Sequence, residues 1–482
     1  MSQYGFMAWN HAGAMSSKDN TAPAERPFDS QKLKTTIDDA KLLRKIDLHV
    51  LPILFIVYVA AFLDRVNISN ALTLGLPQEL GLVGEQPNIA LSIFFVPYVI
   101  LEIPSNAMLK KLSPHVWLSI CIFFFGTIVL AQGFVTSYRG LIVARVFLGI
   151  SEAGIFPGSF YVISYWYKKE DAQKRFTFYW SSLIIAGAFG GLLASAIANL
   201  NGARGLSSWR WVFIIEGSVA ILIGILAFFC ITDFPKEATW LTPDEKAYLM
   251  ARIGKSTRES RESAITPRDV LGFLAKPKHW AAAFMFLTSA VPEYSLVYFL
   301  PTIIQGLGYS TIETQLHSVP PYAAALVYGL VTAWLSDKLR VRSPFVFLGL
   351  GLLVAGLVML YTAHGSTSSS SISIEYAGLV LVCVGTLGTG GIAFCWYIMN
   401  LRGHVERSIG TAWVICIANI GAIIALFSFQ KADAPYYRVG YSICLSTTAA
   451  CFPLTALYWL FIWREKKSDR NGGVNIGDEL YL

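Results

Sequence analysis

Long apolar runs recur along this chain at short intervals, separated by brief polar stretches. Twelve of them approach the ~20 residues that an α-helix needs to cross a hydrocarbon layer about 30 Å thick. In the first half they fall at 48–69, 88–108, 116–135, 140–165, 176–200 and 210–232. In the second they fall at 279–300, 315–336, 344–363, 376–399, 408–430 and 439–463. A helix satisfies its own backbone groups where no water can, so runs of this length predict helices. The pattern predicts an all-α membrane protein: twelve transmembrane helices in two six-helix bundles. The expected units are a disordered tail (1–45), a first bundle (46–232), a central loop (233–278), a second bundle (279–463) and a second tail (464–482).

The polar segments refine this picture. The central loop holds nine Lys/Arg and seven Asp/Glu. Within it, "WLTPDEKAYL" predicts a short helix with Thr242 as N-cap, Pro243 at the first helical position and acids just after. Residues 1–40 lack the apolar core of a signal peptide. Twelve spans put both termini on one side. Eleven Lys/Arg in the short loops of that side, against five opposite, predict cytoplasmic termini. The run Ser366–Ser373 reads as a flexible linker in an outer loop. Six spans, a charged linker and six more suggest an internal duplication. "NAMLKKLSPHVW" after the second span is echoed by "VTAWLSDKLRVRSP" after the eighth, 227 positions on when Lys110 is matched to Asp337.

Composition agrees. Apolar residues make up 54% and charged residues only 14%, against about 25% charged in soluble domains. The net charge of +7 gathers beside the spans, which points to membrane topology and not to nucleic acid. Seven cysteines lie inside apolar runs without CxxC spacing, and no disulfide is expected. HExxH, a nucleotide-binding phosphate loop and GxSxG are all missing, so the chain does not read as an enzyme or a primary pump. No metal or cofactor is expected.

A charge held in lipid costs at least a few kcal/mol, so ionisable residues inside spans are functional candidates. "FLDRVNISNA" in the first span carries Asp64, Arg65 and Asn67. Helical neighbours do not face each other, so Asp64 and Arg65 should point to different partners. The alternative is that both merely end the helix at the interface. "RVFLGISEAGIFPG" in the fourth span places Arg145 and Glu152 seven apart, on one face. Gly149, Gly154 and Gly158 admit a close neighbour, and Pro157 can kink the helix. Such a Glu can bind and release a proton as its surroundings alternate; the plainer reading is a static Arg–Glu brace. Glu102 lies between Pro97 and Pro104, with packing and transport roles equally open. The second half offers Glu293 and Tyr294, then Trp396, Tyr397 and Asn400 after a Gly-rich run, where aromatic spacing is more often packing. His279, His317, His364 and His404 receive no role.

Taken together, these residues resemble the major facilitator superfamily. "FLDRVNISNA", "RVFLGISEAGIFPG" and "DFPKEATWLTPDEK" are similar to its anion:cation symporter branch, and within it to the fungal allantoate permease group, over about residues 45–465. The resemblance implies that Arg65 holds a substrate carboxylate and that Asp64 and Glu152 couple protons, with Glu102 a further candidate. It implies that Arg145 pairs with the acid below it. Asn67, Arg145, Tyr294, Trp396, Tyr397 and Asn400 join Arg65 as candidate substrate residues. Asp337, Lys338 and Arg340 are candidate gating residues. The family's usual acid is replaced by Lys110 in the first half, and "AGAFGG" (Ala186–Gly191) lacks the proline typical of drug:proton antiporters. The expected function is proton-coupled symport of a small organic anion by a cell-membrane monomer, around a site lined by spans 1, 4, 7 and 10. Its partners are the anion, protons and the bilayer. An exporter of an acidic metabolite and a non-transporting nutrient sensor stand as alternatives.

Overall fold

The computed structural model describes residues 37–253, 266–363, 369–430, 433–434 and 436–471. Twelve helical spans follow in chain order: α1 (Asp39–Thr73), α2 (Gln86–Ser92 and Phe95–Leu112), α3 (Pro114–Gln132), α4 (Tyr138–Trp166), α5 (Lys169–Ala198), α6 (Ser208–Cys230), α7 (Pro277–Gly306), α8 (Thr311–Leu339), α9 (Ser343–Ala363), α10 (Ser371–Met399), α11 (Gly403–Ser428) and α12 (Arg438–Asn471). All but α2 are by themselves long and apolar enough to cross a membrane. No strand occurs among the described residues.

Proline accounts for where the helices break. A proline inside a helix lacks an N–H and clashes with the carbonyl four residues earlier. For Pro97 that residue is Ile93, and α2 is interrupted at 93–94. For Pro157 it is Ala153, and α4 bends at 153–154 between segments Tyr138–Glu152 and Ile155–Trp166. Each proline then sits in the first turn of a new segment, where its missing donor costs nothing. In α10 the Gly-rich run forms one π-helical turn, Val384–Gly388, between two α-helical segments.

Glycines bring the broken helices together. A Cβ at Gly149 would lie 2.2 Å from the Phe94 carbonyl oxygen, so α4 rests on the break in α2. At Gly187 and Gly191 of α5 a Cβ would meet Tyr322 and Ser318 of α8, at 2.2 and 2.5 Å. At the same end, the Gln315 amide donates to Thr73 Oγ1 at 3.1 Å and the Ser69 hydroxyl to the Tyr298 carbonyl. The two bundles thus touch closely at the end away from the termini.

The terminal end is tied by charge. Thr242 caps Pro243–Ile253 as expected, its hydroxyl accepting from Glu245 N–H at 3.2 Å. This linker helix clamps the first bundle through Glu245 to Lys45 (2.7 Å) and Arg252 to Asp39 and Asp171 (2.7 and 3.0 Å). Glu406 draws Lys276, Lys278 and His279 together in the second bundle.

Three boundaries differ from expectation. The Asp38 side chain accepts from the N–H groups of Ala40 and Lys41, so α1 starts at Asp39 and the expected tail to 45 overlaps it. Residues 1–36 lie outside the described residues. The helix α12 continues past 463 to Asn471, held by Glu465 to Lys278 and Asp469 to Arg402. The serine run is helical from Ser369, where α-helix Ser369–Cys383 begins; its first residues, 366–368, lie outside the described ones. Serine hydroxyls can serve their own backbone at a helix start, which the linker reading overlooked. The repeat echo has a backbone counterpart. Ser113 and Arg340, 227 apart, both take positive φ (69° and 54°) just after α2 and α8.

Gly149→Ala should cost about 1–3 kcal/mol by forcing α2 from α4. Gly351→Ala, where a Cβ meets nothing within 4 Å, should not destabilise. Melting in detergent distinguishes them; equal melting temperatures would refute the close-packing role.

Candidate functional site

The four charges singled out in the sequence meet between α1 and α4. Arg145 Nη1 donates to Asp64 Oδ2 at 2.7 Å. Arg65 Nη2 donates to Glu152 Oε1 at 2.7 Å. Asp64 and Glu152 are 1% exposed and the two arginines 3%, so none ends a helix in water. Consecutive α1 residues diverge and reach two levels of the facing helix. This corrects the expected Arg145–Glu152 pairing. Seven residues of helix rise about 10 Å, so each finds its counter-ion on α1 instead.

Arg65 links the bundles. Its Nη1 donates to Tyr294 Oη at 3.2 Å, and that hydroxyl donates to Asn419 Oδ1 at 3.4 Å. The chain Glu152–Arg65–Tyr294–Asn419 runs from α4 through α1 and α7 to α11. The rings of Phe62, Phe94, Phe95 and Tyr98 lie 5.3–5.9 Å from the guanidinium carbon, supplying the polarizable faces a buried guanidinium favours.

Arg65 and Tyr294 open onto a central cavity between the bundles. Tyr58, Tyr98, Phe156, Trp180, Phe286 and Phe394 form much of its wall; Ser289, Glu293 and Asn419 supply further polar groups. The lining comes from α2, α5 and α11 as well as from the expected spans 1, 4, 7 and 10. A second cavity lies toward the terminal end and includes Asn106, Ser164, Arg407 and Thr411. Phe160 borders it, and Phe394 borders the first. Their rings stand edge to face, with centroids 5.0 Å apart, as a partition between the cavities.

Other sequence candidates lie elsewhere. Asn67 is fully buried behind the cavity, where its Oδ1 accepts from Asn70. Trp396 packs on Tyr458 at 4.8 Å; Tyr397 donates to the Gly410 carbonyl; Asn400 donates to the Trp396 carbonyl. None of these four lines the central cavity; in the second-half trio, packing won. Glu102 is buried between bundles, facing the Cys416 thiol at 3.5 Å. Asp337 pairs with Arg342 at 2.8 Å, Lys338 lies over Trp334, and Arg340 makes the left-handed turn closing α8.

Sequence reasoning missed the cavity aromatics, Asn419 and Glu216. Glu216 of α6 is buried beside Asp64 and Asn67. Neither of its carboxylate oxygens has a well-formed hydrogen bond among the described residues. An acid in the middle of run 210–232 was a signal that the cost argument could have used. The aromatics carried none, because every span is rich in them.

A family model for the Major Facilitator Superfamily matches residues 54–426. The chain is 31% identical over 451 residues to "MFS-type transporter cnsO" of Penicillium expansum, covering 91% of this chain and 86% of that one. It is 26% identical over 484 residues to a high-affinity nicotinic acid transporter of Saccharomyces cerevisiae, covering 98% and 88%. A solved structure of the proton:xylose symporter XylE superposes with a TM-score of 0.65 at 15% identity, covering 86% and 95%.

Removing one partner of a buried ion pair costs about 3–5 kcal/mol, whereas replacing both with apolar groups is often neutral. Arg145→Met should therefore destabilise the protein strongly, and Asp64→Leu combined with it should recover most of the loss. Melting curves of single and double variants test the pairing; additive losses would sink it.

Proposed function

The chain belongs to the Major Facilitator Superfamily, whose members carry small molecules across membranes, and on that footing we propose that it is a proton-coupled symporter of a small organic anion. One observation carries this reading. Arg65 is the one guanidinium lining the central cavity among the described residues, and it is already neutralised by Glu152.

Charge balance then gives a mechanism. Two guanidiniums and two carboxylates sum to zero. A substrate carboxylate that takes Arg65 from Glu152 leaves one negative charge in excess, away from water. Burial favours the neutral form of a carboxyl once its cation is withdrawn. Glu152 therefore takes a proton as the anion binds, and the four-residue cluster with its anion is again neutral. Asp64, paired with Arg145 next to it, senses the same exchange. Glu102 is a candidate to relay the proton between bundles, since it faces Cys416 across their interface. The last turn of α8 with the residue that closes it, bearing Asp337, Lys338 and Arg340, is the proposed gate element at the terminal end. One proton moving with one anion carries no net charge, so the drive is the pH gradient, worth about 1.4 kcal/mol per pH unit. The nicotinic acid transporter among the relatives carries an organic acid, which supports the substrate class. We infer cytoplasmic termini from the Lys/Arg asymmetry, and we propose a cell-membrane monomer.

Arg65→Ala should lower saturable uptake of small carboxylates at least about tenfold, the worth of a charged hydrogen bond, with the protein still in the membrane. Unchanged uptake would remove the anchor role. Glu152→Gln should abolish accumulation driven by a pH gradient while substrate exchange persists in proteoliposomes. Gradient-driven accumulation by that variant would refute the coupling.

A further inference from the structure

Resting on the carboxylate reading above, we propose that the carried acid is flat and also bears a protonated or hydrogen-bond-donating nitrogen, and that Glu293 selects it. Two features of the central cavity carry this.

The first is the wall. Tyr58, Phe156 and Trp180 face inward from the first bundle, Phe286 and Phe394 from the second. Phe394 lies 5.7 Å from Trp180 and 6.1 Å from Phe156, tilted at 33° and 46°, and edge-on to Phe286 at 5.9 Å. These rings come from both sides and present faces and edges at several angles. A planar ring gains from such surroundings through stacked and edge-to-face contacts, which a puckered ring of the same size cannot make as well.

The second is an uncommitted carboxylate. Glu293 lines the cavity one residue before Tyr294. Tyr294 is engaged on both sides, by Arg65 and by Asn419. Glu293 has no hydrogen bond or ion pair among the described residues. Asn419 Nδ2, in a residue 2% exposed, is buried with no partner among the described residues. A plain monoanion would use Arg65 and leave Glu293 unpaired beside a second negative charge. A nitrogen donor on the same molecule removes that penalty. A site built to pair with such a group rejects an analogue that lacks it. Glu293 is therefore a specificity-determining residue, and its partner is a cationic or donor nitrogen carried on the same molecule as the carboxylate.

The test uses three acids of similar size on the purified full-length protein: benzoate, cyclohexanecarboxylate and 3-(aminomethyl)benzoate. Thermal-shift titration gives a Kd for each. We expect 3-(aminomethyl)benzoate to bind at least about tenfold tighter than benzoate, and benzoate severalfold tighter than cyclohexanecarboxylate. Glu293→Gln should collapse the first ratio toward one, and Trp180→Leu the second. Equal binding of benzoate and 3-(aminomethyl)benzoate by the unaltered protein, or a first ratio that survives Glu293→Gln, overturns the role of Glu293. Equal binding of the flat and puckered acids overturns the planar requirement. Either result leaves the carboxylate reading standing. Failure of all three acids to shift the protein overturns both. The ratios of the unaltered protein decide the matter even where a variant folds poorly.

Discussion

Charge neutrality inside a water-poor bundle is the constraint from which the rest of the site follows. Four ionised groups lie almost wholly out of solvent, and each is tolerable only while its counter-ion stays in contact. Crossing the pairs between α1 and α4 makes the two helices hold one another. It also leaves one half of the arrangement within reach of the cavity. Asp64 and Arg145 are enclosed behind the cavity, while Arg65 reaches it, where in the proposed cycle it trades one carboxylate for another. In that cycle the same brace serves as structure and as mechanism.

Backbone irregularities set the stage for these charges. The break in α2 at 93–94 and the bend in α4 at 153–154 flank the same level of the bundle, and Gly149 presses α4 against the first of them. The bend follows Glu152 directly. Phe94 and Phe95, at the break, contribute two of the rings around Arg65. Proline chemistry, glycine packing and the ionic site are thus one arrangement seen at three scales.

Much of this was legible in the chain. Spans longer than a helical hairpin turn could hide announced themselves by length, and the four central charges by their cost in lipid. Gly149, Pro157 and the Thr242 cap behaved as their local chemistry dictates. Partners were not legible. Periodicity places Arg145 and Glu152 on one face, but not which helix that face meets. Trp396 and Tyr397 illustrate the same limit: an aromatic pair in an apolar helix looks alike whether it faces a ligand or Tyr458. Helix ends drifted for a different reason. Apolar length marks where lipid stops, whereas capping by Asp38 and ion pairs at Glu465 and Asp469 carry the helices beyond it.

The Phe160–Phe394 pair separates the two cavities by the thickness of one edge-to-face contact. Such a contact is worth about 0.5–1.5 kcal/mol beyond area burial. That is less than the ~3–5 kcal/mol at stake when a buried ion pair loses one partner. A door this light keeps no directionality of its own. In the proposed cycle, ionic occupancy at Arg65 governs turnover, and the rings follow it as a passive flap.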